Sequence, residues 1–102
     1  MTAIGKRQRI TRYIIASLQK SDNLTVDCVG TEDLYATIQS TVIAAQFLNR
    51  PPFDCNFDFV VKQFNGKEVT GFSINIRSKL ESKNKIETPK RITTNAIMEL
   101  EI

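Results

Sequence analysis

The chain has 102 residues, 41% of them hydrophobic and 25% charged, with a net charge of +3. That length supports a single core, so one globular domain is expected and a second has no room. Histidine is absent, which removes the commonest general base and the commonest metal ligand together; with no apolar run long enough for a membrane span and no secretory signal, a cytoplasmic location is expected.

The charge is uneven. Residues 1 to 20 carry +5 and residues 21 to 50 carry −3. Three of the N-terminal cations crowd Gly5-Lys6-Arg7-Gln8-Arg9, which reads as a turn after a very short strand at Thr2 to Ile4. Ile10, Ile14 and Leu18 then recur every fourth position with Tyr13 and Ile15 beside them, the spacing of a helix that Thr11 would cap. Ser21-Asp22-Asn23 breaks it. Leu24, Val26 and Cys28 alternate with Thr25 and Asp27 as a half-buried strand, which Gly30 ends.

Thr31 followed by Glu32 and Asp33 is a helix start, because a hydroxyl can cap free N–H groups and acids suit the positive end of the dipole. Leu34, Ile38, Val42, Ala45 and Leu48 form one stripe, and the helix must end before Pro51-Pro52. A second apolar patch, Ala36, Ile43, Ala44 and Phe47, is placed on the far side. One face covers a sheet; the other needs a second surface, supplied by another copy of the chain or by the first helix or the tail.

Phe53 to Lys62 alternates as a strand, and Asn65-Gly66 is the pair that best tolerates a tight two-residue hairpin. With that turn, opposed residues sum to 131, which sets Phe59 against Phe72, Phe57 against Ile74 and Cys55 against Ile76 on one face. Gly71 marks a shift in the alternation and a candidate bulge. Residues 80–91 read as a polar linker, and 92–102 alternate as an edge strand beside the first strand, with a loose tail as the alternative. Cys28 and Cys55 sit in apolar patterns and read as small buried hydrophobes.

The expected class is α+β: strand, helix, strand, helix, strand, strand, two layers with both helices on one face of a mixed four-stranded sheet. Ile4-Gly5-Lys6-Arg7 followed by Tyr13-Ile14-Ile15-Ala16 resembles the basic loop and first helix of the Alba superfamily of small nucleic-acid-binding proteins, over residues 1–79. Gly30, Thr41-Val42-Ile43-Ala44-Ala45-Gln46-Phe47 and Asn65-Gly66-Lys67-Glu68 resemble its bacterial stage V sporulation protein S branch. The resemblance implies a sheet in the order one, two, four, three, a homodimer using the second helix and the hairpin side, and DNA or RNA held by the first loop and the hairpin. In that order a strand separates Cys28 from Cys55, which argues against a disulfide. Alba's proline after the paired lysines is absent, replaced by Gln8 and Arg9, and the hairpin reads as short.

Lys6, Arg7, Arg9 and Arg12 are the candidate phosphate ligands, with Lys62 and Lys67 at the hairpin as a second cluster. Cations at a helix N-terminus oppose its dipole, and a bound phosphate would relieve them. Backbone contact of this kind depends weakly on sequence and steeply on salt. The rival is a regulatory or assembly module acting through Ala36, Ile43, Ala44 and Phe47 on a protein partner. An enzyme, a cofactor or a metal has no supporting motif.

Overall fold

The computed structural model describes residues 3–21, 23–48, 53–77 and 90–100. The fold is α+β, with three helices and a four-stranded mixed sheet. In chain order the elements are α1 (Ala3–Lys20), β1 (Asn23–Cys28), α2 (Thr31–Phe47), β2 (Asp54–Phe64), β3 (Lys67–Arg77), β4 (Lys90–Thr93) and α3 (Thr94–Glu99). The sheet runs β2-β3-β1-β4; β1 pairs antiparallel with β3 and parallel with β4.

The hairpin follows the sequence closely. All eleven β2–β3 pairs sum to 131, from Phe64 with Lys67 to Asp54 with Arg77. Asn65 and Gly66 both take positive φ, 52° and 77°, the backbone of a type I′ turn whose twist matches the strands. The register continues unbroken through Val60 and Gly71, so Gly71 is not a bulge. Its role is close approach: a Cβ there would lie 2.5 Å from the Cys28 carbonyl oxygen. The hairpin is also longer than the sequence suggested. β1 pairs only with residues 72–77 of β3, so the five residues before them continue with β2 alone as an arm, about 17 Å long at strand rise.

The N-terminus departs from expectation. No strand begins the described chain: Ala3 and Ile4 are helical, Gly5–Arg9 lie within α1, and Thr2 lies outside the described residues. One glycine among good helix formers costs about 1 kcal/mol, less than the buried Ile10, Ile14 and Leu18 recover by anchoring the helix. Thr11 is not a cap; its hydroxyl donates to the Arg7 carbonyl inside the helix at 2.7 Å. The sheet position beside β1 is filled instead by β4, from the other end of the chain. The alternation read over 92–102 gives way at Thr93, whose side chain accepts from the Ala96 N–H and starts α3, and Ile97 then anchors that short helix in the core. Most of the polar linker lies outside the described residues.

Leu24, Val26 and Cys28 of β1 and Ile74 and Ile76 of β3 pack against Ile10, Tyr13, Ile14 and Leu18 of α1 and against Ala36 and Ala44 of α2. The helices therefore lie on one side of the sheet. The other side is polar: Asn75 donates to Asn23 and Thr25, and Asp27 and Ser73 face the same way. Both cysteines are free, with β3 between their strands.

Gly71→Ala is expected to cost about 1–3 kcal/mol, as forced overpacking does, whereas Thr70→Ala, exposed one position earlier, stays within about 0.5 kcal/mol. Urea titrations of the two variants at a common m-value decide it.

Candidate interaction surface

The basic residues divide by what they touch. Lys6 donates to Asp33 Oδ1 at 2.7 Å, and this bond, with the nearby negative charge, raises the lysine's pKa. Arg9 donates through one guanidinium nitrogen to the carbonyls of Met98 and Leu100, at 3.2 and 3.0 Å. It thereby satisfies backbone acceptors at the end of α3. Lys62 pairs with Asp27 Oδ2 at 2.8 Å. Arg7, Arg12 and Lys67 remain, and no carboxylate among the described residues pairs with them. Arg12 and Lys67 are exposed, and Arg7 is half-buried. The N-terminal cations thus do not line one loop. They lie on a helix and divide between internal contacts and solvent.

Asp27 is the most enclosed charge among the described residues, its side chain 1% exposed between Lys62 and Arg91. Arg91 reaches both its oxygens, at 2.8 and 3.1 Å. Burial pushes the carboxyl up, but the hydrogen bonds from Arg91 and Lys62 outweigh it and hold the pKa below the ordinary 3.8. Burial raises both thiols, Cys28 and Cys55, so neither is an activated nucleophile.

The second feature is apolar. The side of α2 turned inward carries Asp33, Ala36, Thr37, Ser40, Thr41 and Ala44, small or polar residues throughout. Thr37 and Thr41 donate to carbonyls one turn back at 2.8 Å each, and Ser40 donates across to the Arg7 carbonyl at 3.1 Å. Small side chains let α1 and α2 approach closely. Leu34 and Leu48 pack against the core, but five large apolar side chains point outward: Tyr35, Ile38, Val42, Ile43 and Phe47 are exposed. This inverts part of the sequence assignment. Ala36 and Ala44, read as outward, are buried, and Ile38 and Val42, read as facing the sheet, are on the surface. Ile43 and Phe47 are on the surface as read.

The sheet continues this surface. Phe57, Phe59 and Val61 project from β2 on the helix-bearing side, opposite Ile74, Phe72 and Thr70, yet they are 61%, 72% and 62% exposed. Phe59 and Phe72 meet with centroids 5.8 Å apart. α3 packs with α1, β1 and β4 and touches the start of α2 through Thr94 and Asp33. The outward side of α2 is an apolar wall, and the exposed inner side of β2 is an apolar floor. From Leu34 to Leu48 there is no charged residue, and none among Cys55, Phe57, Phe59, Val61 and Gln63 on the inner side of β2.

An aromatic side chain presents roughly 150–250 Å², and four here are more than half exposed, Phe47 at 68% and Tyr35 at 64% among them. The exposed isoleucines and valines add to this area, although Ile38 and Phe47, nine positions apart, lie on opposite flanks of α2. Together these side chains exceed the few hundred Å² that monomers commonly leave open. Of the outward apolar residues, the sequence placed Ile43 and Phe47 correctly and misplaced Ile38 and Val42.

No family model, no curated protein and no solved structure matches this chain. No helix among the described residues is long and apolar enough to cross a membrane.

Because the folded pKa of Asp27 is lowered, its stabilisation is complete above the unfolded value and is lost as pH falls through the folded one. Asp27→Asn should therefore be less stable than wild type at neutral pH, and the gap should narrow from about pH 4 downward. Urea midpoints of both proteins across that range check the sign.

Proposed function

We propose that this chain is an assembly module that works as a symmetric pair, two copies joined through the α2 wall and the β2 floor. The carrying observation is the outward side of α2: small residues, with Leu34 and Leu48 at its ends, face the fold, while Tyr35, Ile38, Val42, Ile43 and Phe47 face solvent. The outward side of α2 and the inner side of β2 carry no charge, and Glu68, opposite Gln63, lies at the turn end of the hairpin, so two identical surfaces meet with little repulsion. A two-fold axis then lets the same patch serve on both sides. The reading keeps the relation to the Alba superfamily and its stage V sporulation protein S branch as a proposal. It is supported by the order β1, β3, β2 in the sheet and by two helices on one side. In this chain the strand beside β1 comes from the C-terminal end, so the elements follow a permuted order. A cytoplasmic setting belongs to the same proposal.

Nucleic-acid binding is the second reading, favoured by Arg7, Arg12 and Lys67, which have no carboxylate partner among the described residues. It receives less support than the sequence suggested. Lys6, Arg9 and Lys62 are engaged within the fold, and withdrawing them would cost the contacts they make. Paired copies would present the remaining cations twice.

Sedimentation equilibrium is the direct test of pairing. Wild type should be a dimer at tens of micromolar, and Phe47→Asp or Phe59→Asp should weaken association by about thirtyfold or more, as loss of a ~2 kcal/mol hot spot does. Both residues are exposed, so the thermal melts of the monomers should remain cooperative. Asn56→Asp, on the opposite side of the sheet, serves as the unaffected control. A wild type that stays monomeric at about 100 μM is too weak for a specific interface and overturns the reading.

For nucleic acid, duplex binding measured at two salt concentrations separates the cations by role. Arg7→Ala with Arg12→Ala should remove about two units of log–log slope per copy, whereas Lys6→Ala should leave the slope unchanged.

A further inference from the structure

The C-terminal segment is held differently from the rest of the fold. Among α1, α2, β1 and β3 the contacts are mainly apolar, through Ile10, Ile14, Leu18, Leu24, Val26, Ile74 and Ile76. β4 and α3 contribute one fully buried apolar side chain, Ile97, with Ile92 partly buried beside it. Polar ties supply much of the remaining hold. Arg91 grips Asp27 with two nitrogens, and Thr94 donates to Asp33 Oδ2 at 2.7 Å. Arg9 holds the carbonyls of Met98 and Leu100, and the Lys90 ammonium lies 5.4 Å from the centre of the Tyr13 ring.

Each carboxylate that receives the segment also has a lysine of its own in the body of the fold. Asp27 keeps Lys62 at 2.8 Å and Asp33 keeps Lys6 at 2.7 Å. Removing a partner from a buried charge is ordinarily severe because the charge is left uncompensated. Here departure of the segment leaves neither carboxylate without a cation. Twelve residues, 78–89, join β3 to β4 and can extend to roughly 40 Å, whereas Arg77 and Lys90 stand at the same end of β1, on either side of it, about 10 Å apart at strand spacing.

We propose that Lys90–Glu99 is a detachable strap, which opens as one unit while α1, α2, β1, β2 and β3 stay folded, and which covers a strand-docking edge. Opening bares the backbone of β1 from Leu24 to Asp27 to an incoming parallel strand and frees the Arg9 guanidinium. A segment that fits the bared edge resembles the strap: a basic residue for Asp27, an apolar residue beside Val26 and a hydroxyl for Asp33. The strap lies at the opposite edge of the sheet from the α2–β2 face, and its opening does not depend on whether that face pairs two copies.

Native-state hydrogen exchange on the full chain tests this directly. Amides of β4 and α3 should share one opening reaction, about a hundredfold more frequent than that of the β1–β3 ladder, with a denaturant dependence that is measurable but smaller than that of global unfolding, the mark of a sub-global unit. Raising the salt should increase that opening several-fold, since the Arg91 side chain is 54% exposed and its pairing is screened. Arg91→Ala and Thr94→Val should each raise strap exchange by about tenfold, the size of a charge-assisted hydrogen bond, and leave Ile74 and Ile76 unchanged. If strap amides share the rate and denaturant dependence of Ile74 and Ile76, or if the substitutions accelerate both groups alike, the strap is an ordinary part of one cooperative fold. Exchange in the wild-type protein is enough to overturn the proposal.

Discussion

Asp33 sits where three helices meet, and the arrangement of the rest follows from how it is satisfied. Its carboxylate accepts hydrogen bonds from Lys6 of α1 and Thr94 of α3, while its own carbonyl accepts from Thr37 one turn on. It lies in the first turn of α2, where a negative charge also suits the helix dipole. A carboxylate held in this way fixes the start of α2 against the start of α1. At that spacing only small side chains fit between the helices, which is why Ala36, Ser40 and Ala44 lie inside and the bulky residues are left outside.

That single packing choice connects the fold to its surface. A helix usually buries its largest apolar side chains and shows water its small and polar ones. α2 departs from this, leaving Tyr35, Ile38, Val42, Ile43 and Phe47 in water, and β2, at the sheet edge, presents three more large side chains on the helix-bearing side. An edge strand eleven residues long with an apolar face is a hazard that folds normally cover or charge. In the proposed pair one surface covers the other. The fold without its partner would expose these apolar side chains to water.

The N-terminal cations show why a charge cluster in a sequence is not yet a binding site. Lys6 and Arg9 are close in the sequence to Arg7, but their partners are Asp33 and the α3 carbonyls. Those lie 27 residues away for Lys6 and 89 and 91 residues away for Arg9. Nothing local in Gly5-Lys6-Arg7-Gln8-Arg9 encodes these contacts. The same holds for Lys62, whose acceptor Asp27 is on a strand it does not neighbour in the sheet. Cations that look redundant in the sequence act as ties within the fold, and Arg9 brings the two ends of the chain together.

By itself the sequence determined the features that depend on neighbours in the chain. The period of two over Phe53–Lys62, the left-handed tolerance of Asn65-Gly66 and the agreement between them set the hairpin register residue by residue. The fourfold spacing of Ile10, Ile14 and Leu18 set the core side of α1. Only the tertiary structure decided which side of α2 is covered, because its large and small apolar residues both recur at helical spacing and local periodicity cannot rank them. It also decided that Gly71 answers to the Cys28 carbonyl rather than to a bulge, and that a C-terminal strand stands beside β1. Those outcomes depend on distances between segments far apart in the chain, and burial is a property of the assembled surface rather than of any window of residues.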